Sequence, residues 1–295
     1  MNITRKDFIK SSVLAGTGIL INPAFSCRNL KKSGKLLEKI GVCTDISNYT
    51  ILESAGYSYI EESVQNFLFP LDDESKFQGK LDQMKASKLL VPACNNFIPG
   101  KLKCVGPEAV HDELLKYVET AFRRAQIAGV KTIVFGSGGS RRIPDGFPAD
   151  EAKEQFISFS KKIASVAQKY DVVIVLEPLN KGECNIINSV SEGAEIVRTV
   201  NHKNFRLLAD VYHMLRENES PENIIKHGDL IRHTHIAENI GREAPGVNNE
   251  DFTPYLKALK EIDYKGLMSI ECKWKNMAEQ AAPALLALKK QIDSV

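Results

Sequence analysis

From residue 39 onward the chain alternates short β-branched apolar runs with longer stretches whose apolar positions recur every three to four residues. The runs at 40–44, 57–61, 88–92, 131–135, 172–176, 206–209, 231–236 and 267–270 are continuous, the pattern of strands covered on both faces. Between them the period changes to that of helices. Leu114, Val118, Ala121, Phe122 and Ala125 line up on one face, as do Phe252, Tyr255, Leu256 and Leu259. Ser189 before Val190 and Asn276 before Met277 are in place to cap helices. Eight strand–helix units in about 255 residues predict a closed parallel (β/α)8 TIM barrel forming a single domain over residues 39–295. A doubly wound sheet would need a glycine-rich phosphate turn after the first strand, where the chain has Cys43-Thr44-Asp45-Ile46.

Composition narrows the partners. The 295 residues carry 39 Lys plus Arg against 37 Asp plus Glu; without residues 1–27, which hold three bases and one acid, the balance is 36 to 36. A neutral body is not a nucleic-acid surface. Residues 1–27 combine basic Arg5, Lys6 and Lys10 with an apolar run over 13–21, too short to span a bilayer but suited to an export signal. This segment resembles twin-arginine export signals, with TRKDFIK where the arginine pair stands, and Ala24-Phe25-Ser26-Cys27 resembles a lipoprotein cleavage box. The expectation is an exported protein, periplasmic or lipid-anchored at Cys27, and a cytoplasmic one if the signal does not function. Residues 28–38 read as a polar leader. The five other cysteines show neither a disulfide framework nor metal spacing.

Candidate chemistry gathers where strands end. The fifth strand closes on Glu177, the sixth on Asp210 with His213 beyond it, the seventh contains His233 and His235, and the eighth closes on Glu271. In a barrel these ends meet at one mouth. Three carboxylates crowded there would repel one another and take up protons unless a cation held them. One imidazole with three carboxylates is a hard donor set, suited to Mn²⁺, Co²⁺ or Mg²⁺, with Zn²⁺ also compatible. His235 is nearer the strand end and the better ligand; His233 is expected to support it or pack in the core. His111, His202 and His227 are expected at the surface.

The strand-end pattern resembles the xylose-isomerase-like barrel superfamily, and within it the sugar phosphate isomerases/epimerases and D-tagatose 3-epimerase-type ketose epimerases. The resemblance covers nearly all of residues 38–292. It implies one divalent metal ion held by Glu177, Asp210, His235 and Glu271, with Glu177 and Glu271 also the catalytic proton-transfer pair. It implies substrate contacts at Glu183, His213 and Arg242, although the stretch IAENIGREAPG is one residue longer before Pro-Gly than the epimerase pattern.

The expected reaction is proton transfer in a free ketose or keto-sugar through a metal-stabilised enediolate. A lyase, hydratase or deglycosidase acting on 3-keto-glycosides or inososes is the alternative, sharing the metal and the proton abstraction. A non-catalytic sugar-binding barrel would not need two bases, and a multi-zinc endonuclease would need more than six histidines and a basic face. Among the loops, Asn95, Asn96 and Phe97 are candidate hydroxyl binders and Trp274 a candidate wall against a sugar. GSGGSRRIPDGFP, with Arg141, Arg142 and Phe147, is a candidate lid. No nucleotide or flavin motif appears, and no transmembrane segment is expected; a homodimer or homotetramer is the expectation from related enzymes.

Overall fold

The computed structural model describes residues 36–295, so the expected export signal, Cys27 and most of the polar leader lie outside the described residues. Eight parallel strands close in sequence order: β1 (Ile40–Cys43), β2 (Tyr59–Ser63), β3 (Leu90–Asn95), β4 (Thr132–Phe135), β5 (Val173–Leu176), β6 (Phe205–Asp210), β7 (Ile231–Ile236) and β8 (Leu267–Ile270). The ring shuts where Ile40 pairs with Met268. Around it lie α1 (Tyr49–Ala55), α2 (Glu74–Ala86), α3 (His111–Ala128), α4 (Gly138–Arg141), α5 (Ala149–Lys169), α6 (Val190–Val200), α7 (Val211–Arg216), α8 (Glu222–Lys226), α9 (Thr253–Glu261) and α10 (Met277–Asp293). The expected (β/α)8 TIM barrel is the fold found. No described helix is long and apolar enough to cross a membrane.

The continuous apolar runs have a direct explanation. Ile133, Phe135, Ile174 and Leu176 belong to the core between strands and helices, while the intervening Val134 and Val175, with Leu208, form a separate cluster. Strand alternation assigns that second cluster to the barrel interior. The periodic positions on α3 and α9 are buried as expected. Ser189 caps α6 by accepting from Glu192 N–H, and Glu192 reaches back to Asn188 N–H. Asn276 makes no side-chain cap; Gln280 instead accepts from the N–H groups of Lys275 and Asn276.

Two strands start two residues later than their apolar runs. Tyr57 is held in the turn after α1, where Gly56 takes φ 87°, and its hydroxyl donates to Ala281 O. Ser87 similarly binds Leu89 N–H before β3. β3 then continues past Pro92, because it carries one extra residue between the pairs Tyr59–Leu90 and Glu61–Ala93. A register irregularity is where a residue lacking an N–H is tolerated in a sheet. The extension matters, since it brings Asn95 to the strand end.

Candidate active site and metal centre

Glu177, Asp210, His235 and Glu271 follow or end β5 to β8, and each offers a ligand atom within 4.8 Å of the others. Asp210 shows how the local fold aims its donor. Its Oδ1 caps α7 by accepting from Tyr212 N–H at 2.8 Å, while Oδ2 is buried without a hydrogen-bond partner. An unpaired buried carboxylate oxygen costs about 1–3 kcal/mol or more, so its retention beside three other donors fits a cation. The donor chemistry agrees, and the four residues fit a divalent ion.

Electrostatics within the cluster point the same way. Burial raises the Asp210 carboxyl to about 6, against the pull of Arg242 and His235. Burial also raises Glu177, opposed by its hydrogen bond with His235. For Glu271 burial acts upward too, but the His235 and Arg242 charges outweigh it and hold the group at about 2. His235 Nδ1 lies 3.1 Å from Glu177 Oε1 and 3.4 Å from Glu271 Oε2.

A cavity of about 250 Å³ opens over these groups, lined by Asn95, Glu177, Glu183, His213, Arg242 and Glu271 among others. His213 follows Asp210 by three residues on the same helix face. Its Nδ1 accepts from both Asn180 N–H groups, backbone at 3.2 Å and side chain at 2.9 Å, which places its hydrogen on Nε2. Nε2 is buried without a hydrogen-bond partner, 3.5 Å from Asp210 Oδ2. Burial lowers the His213 pKa, favouring the neutral ring.

The longer loop after β7 still delivers Arg242. Its guanidinium ion-pairs with Glu271, lies 3.3 Å from Glu183 and 3.8 Å from Asp210, and stands 4.5 Å over the Tyr212 ring. Arg242 has left-handed backbone (φ 54°), an uncommon state for a residue with a side chain. Hydrogen bonds from Arg242 Nε to Glu271 O and from Lys273 N–H to Arg242 O hold it there.

Other expected contacts resolve differently. Asn95 lines the cavity and donates to Glu271 Oε1 at 2.7 Å, so it steadies that carboxylate. Asn96 also lines the cavity. Phe97 does not: it is fully buried in an aromatic cluster with Tyr117, Phe122 and Phe135. Trp274 is absent from the cavity lining and packs, partly buried, against the main core.

The glycine-rich loop meets the cavity through Gly136, Ser137, Gly138 and Gly139, but its arginines do not form a lid. Arg141 is fully buried and donates to Glu177 O at 2.7 Å; Arg142 is exposed and donates to Gly182 O; Phe147 is partly buried against the core. Of the histidines expected at the surface, His227 is buried beside Ser191, and His111 and His202 are half-buried with backbone partners. The His227 contact joins residues 36 apart, which local sequence does not show, whereas His202 bonds Asn204 N–H within its own turn.

One buried carboxylate beside the cluster, Glu61, is not among the residues that the sequence singles out. Glu61 is fully buried and bonds both His233 Nε2 at 2.7 Å and His235 Nε2 at 2.9 Å. The signal was present, since strand two closes on carboxylates as strands five, six and eight do.

Comparison with known proteins agrees with this geometry. The model of the family described as "Xylose isomerase-like TIM barrel" matches residues 49–291. L-ribulose 3-epimerase of Methylomonas sp. (strain DH-1) is 34% identical over 122 residues, 41% of this chain and 42% of that protein. Hydroxypyruvate isomerase of Escherichia coli (strain K12) is 25% identical over 218 residues, 70% of this chain and 81% of that protein. The matches to L-ribulose 3-epimerase and to a D-psicose 3-epimerase span only 42% and 40% of those relatives' lengths. The crystal structure of D-allulose 3-epimerase from Methylomonas sp. superposes with a TM-score of 0.75 at 22% identity, covering 88% of this chain and 99% of that one.

Proposed function

Because the chain belongs to the xylose isomerase-like TIM barrel family, we propose that it is a divalent-metal-dependent epimerase or isomerase of a free ketose or keto-sugar. The observation that carries this reading is the convergence of Glu177 and Glu271 with Asp210 and His235 beneath a polar cavity. Relatives named as an L-ribulose 3-epimerase and a hydroxypyruvate isomerase support the reaction class.

Glu177, Asp210, His235 and Glu271 would hold the ion, which when bound polarises a carbonyl and its neighbouring hydroxyl and acidifies the hydrogen between them. The remaining chemistry belongs to the side chains. Glu177 and Glu271 stand on non-adjacent strands and reach the substrate from different directions, one removing the carbon-bound proton and the other returning it. Asn95 and Arg242 fix the Glu271 carboxylate between them. His213 directs its Nε2–H to a sugar oxygen, and the Arg242 guanidinium faces the negative charge that builds up there. Glu183, bound by Asn180 and Arg242, offers its carboxylate to a hydroxyl.

The test uses Glu177→Gln and Glu271→Gln at saturating Mn²⁺, following exchange of the hydrogen next to the carbonyl by NMR in deuterated water. Each variant should lose 10²–10⁴-fold in turnover, the scale of a lost general base, with exchange surviving into one epimer only. Normal turnover in either variant would refute the two-base assignment. Loss of a β-substituent from the product in the wild-type reaction would instead establish a lyase.

A further inference from the structure

Beneath the metal-fit cluster, the barrel interior is polar on one side. Tyr59, Glu61, His233 and Ser269 are all nearly or fully buried there, whereas Val134, Val175 and Leu208 form a separate apolar cluster. A buried carboxylate is costly unless its oxygens are fully engaged. Those of Glu61 are. Oε1 accepts from His235 Nε2–H at 2.9 Å; Oε2 accepts from His233 Nε2–H at 2.7 Å and from the Ser269 hydroxyl at 2.5 Å. Ser269 in turn accepts from the Tyr59 hydroxyl at 2.9 Å.

Proton accounting leaves one arrangement that uses every donor once. His233 Nδ1 is buried without a partner, so the hydrogen of the neutral ring belongs on Nε2, facing Glu61. Ser269 has one hydrogen, and if it goes to Glu61 then Tyr59 must donate to Ser269. Glu61 is thus an acceptor on both oxygens, leaving Oε1 to fix the hydrogen of His235. With an ion on Nδ1 the reverse tautomer is excluded, because it would set an unprotonated Nε2 against a carboxylate and put an N–H where the ion would lie, among the oxygens of Glu177 and Glu271.

We propose that Glu61 is a positioning residue for the metal centre: by accepting Nε2–H of His235, it presents the unprotonated Nδ1 as the ligand atom. The inference rests on the metal reading above. A carboxylate behind a histidine ligand both orients the ring and raises its basicity. His233, Ser269 and Tyr59 supply the hydrogen bonds that keep Glu61 aligned for this task.

The experiment compares wild type, Glu61→Gln and Glu62→Gln, the last being a neighbour on β2 that binds Ile46 N–H instead of a histidine. Mn²⁺ affinity is measured by electron paramagnetic resonance, and the His235 tautomer in Zn²⁺-loaded protein by ¹⁵N NMR. Glu61→Gln should bind Mn²⁺ 10–100-fold more weakly with thermal unfolding still cooperative, and Glu62→Gln should match wild type. Wild-type His235 should carry its hydrogen on Nε2, a result that needs no variant and so tests the proposal even if Glu61→Gln does not fold. A wild type that binds Mn²⁺ but carries the opposite tautomer overturns the role of Glu61 alone, as does a Glu61→Gln variant with wild-type affinity. A wild type that binds neither ion overturns the metal reading and this proposal with it.

Discussion

Gly136 follows β4 directly, and a Cβ placed on it would sit 2.2 Å from Glu177 Oε2. The missing side chain therefore makes room for the carboxylate proposed to move a proton. Gly136→Ala should displace Glu177 and lower kcat at least tenfold, since misplacement of about 1 Å can cost 10²-fold; the far-ultraviolet circular dichroism should remain that of the wild type. An unchanged kcat would show that Glu177 tolerates the shift. Glu62, on the same strand as Glu61, has a different fate. Burial, with nearby Asp45, raises its pKa from 4.5 to about 7, against the N–H groups of Ile46 and Ser63. Because the folded-state value is the higher one, its contribution to stability is present below pH 4.5 and lost as pH rises through about 7. The loss has a ceiling of roughly 3 kcal/mol. Urea unfolding at pH 5 and pH 7.5 should show stability falling less in Glu62→Gln than in wild type, and parallel losses would contradict the assignment.

Arg124 shows how a single side chain can organise an element. It projects from α3, is almost fully buried, and donates to the carbonyls of Leu68, Phe69 and Asp72 and to Glu74. These groups form the turn from the helical segment Val64–Leu68 into α2, where Phe69 adopts φ 47°. Arg124→Met would leave three carbonyls without their donor, and the expected loss is about 3 kcal/mol in urea unfolding. Arg124 is not among the cavity-lining residues, so kcat/KM should stay within a factor of two. The sequence displays α3 as an amphipathic helix through Leu114, Val118, Ala121, Phe122 and Ala125, but gives no sign of this arginine's target. The carbonyls lie more than fifty residues earlier in the chain. Helix α7 is the opposite case. Asp210 and His213 are legible as a strand end and a residue one helical turn later, and the cap bond from Tyr212 N–H explains why Asp210 presents only Oδ2 to the site.

At the scale of the molecule, the barrel gathers charges that the unfolded chain keeps apart, so ligand binding and stability should be linked. At a divalent-ion concentration 100 times Kd, the gain is about 2.7 kcal/mol, and Tm should rise by about 5 °C. Chelation should reverse the rise, and Asp210→Ala should abolish it; an ion that leaves wild-type Tm unchanged would count against the centre. The sequence by itself determined the eight strands, their parallel order and the four strand-end donors, because continuous apolar runs ending in charge are local features. The resemblance to ketose epimerases pointed to Glu183, His213 and Arg242, and all three line the cavity. The tertiary structure alone decided that Asn95 serves Glu271, that Arg141 is buried beneath Glu177, that Trp274 packs away from the cavity, and that Glu61 stands behind His235. The Asn95 and Glu61 contacts depend on closing the ring, which brings β2 within hydrogen-bond reach of β7 across 174 residues of chain, and no local pattern encodes a distance that only closure creates.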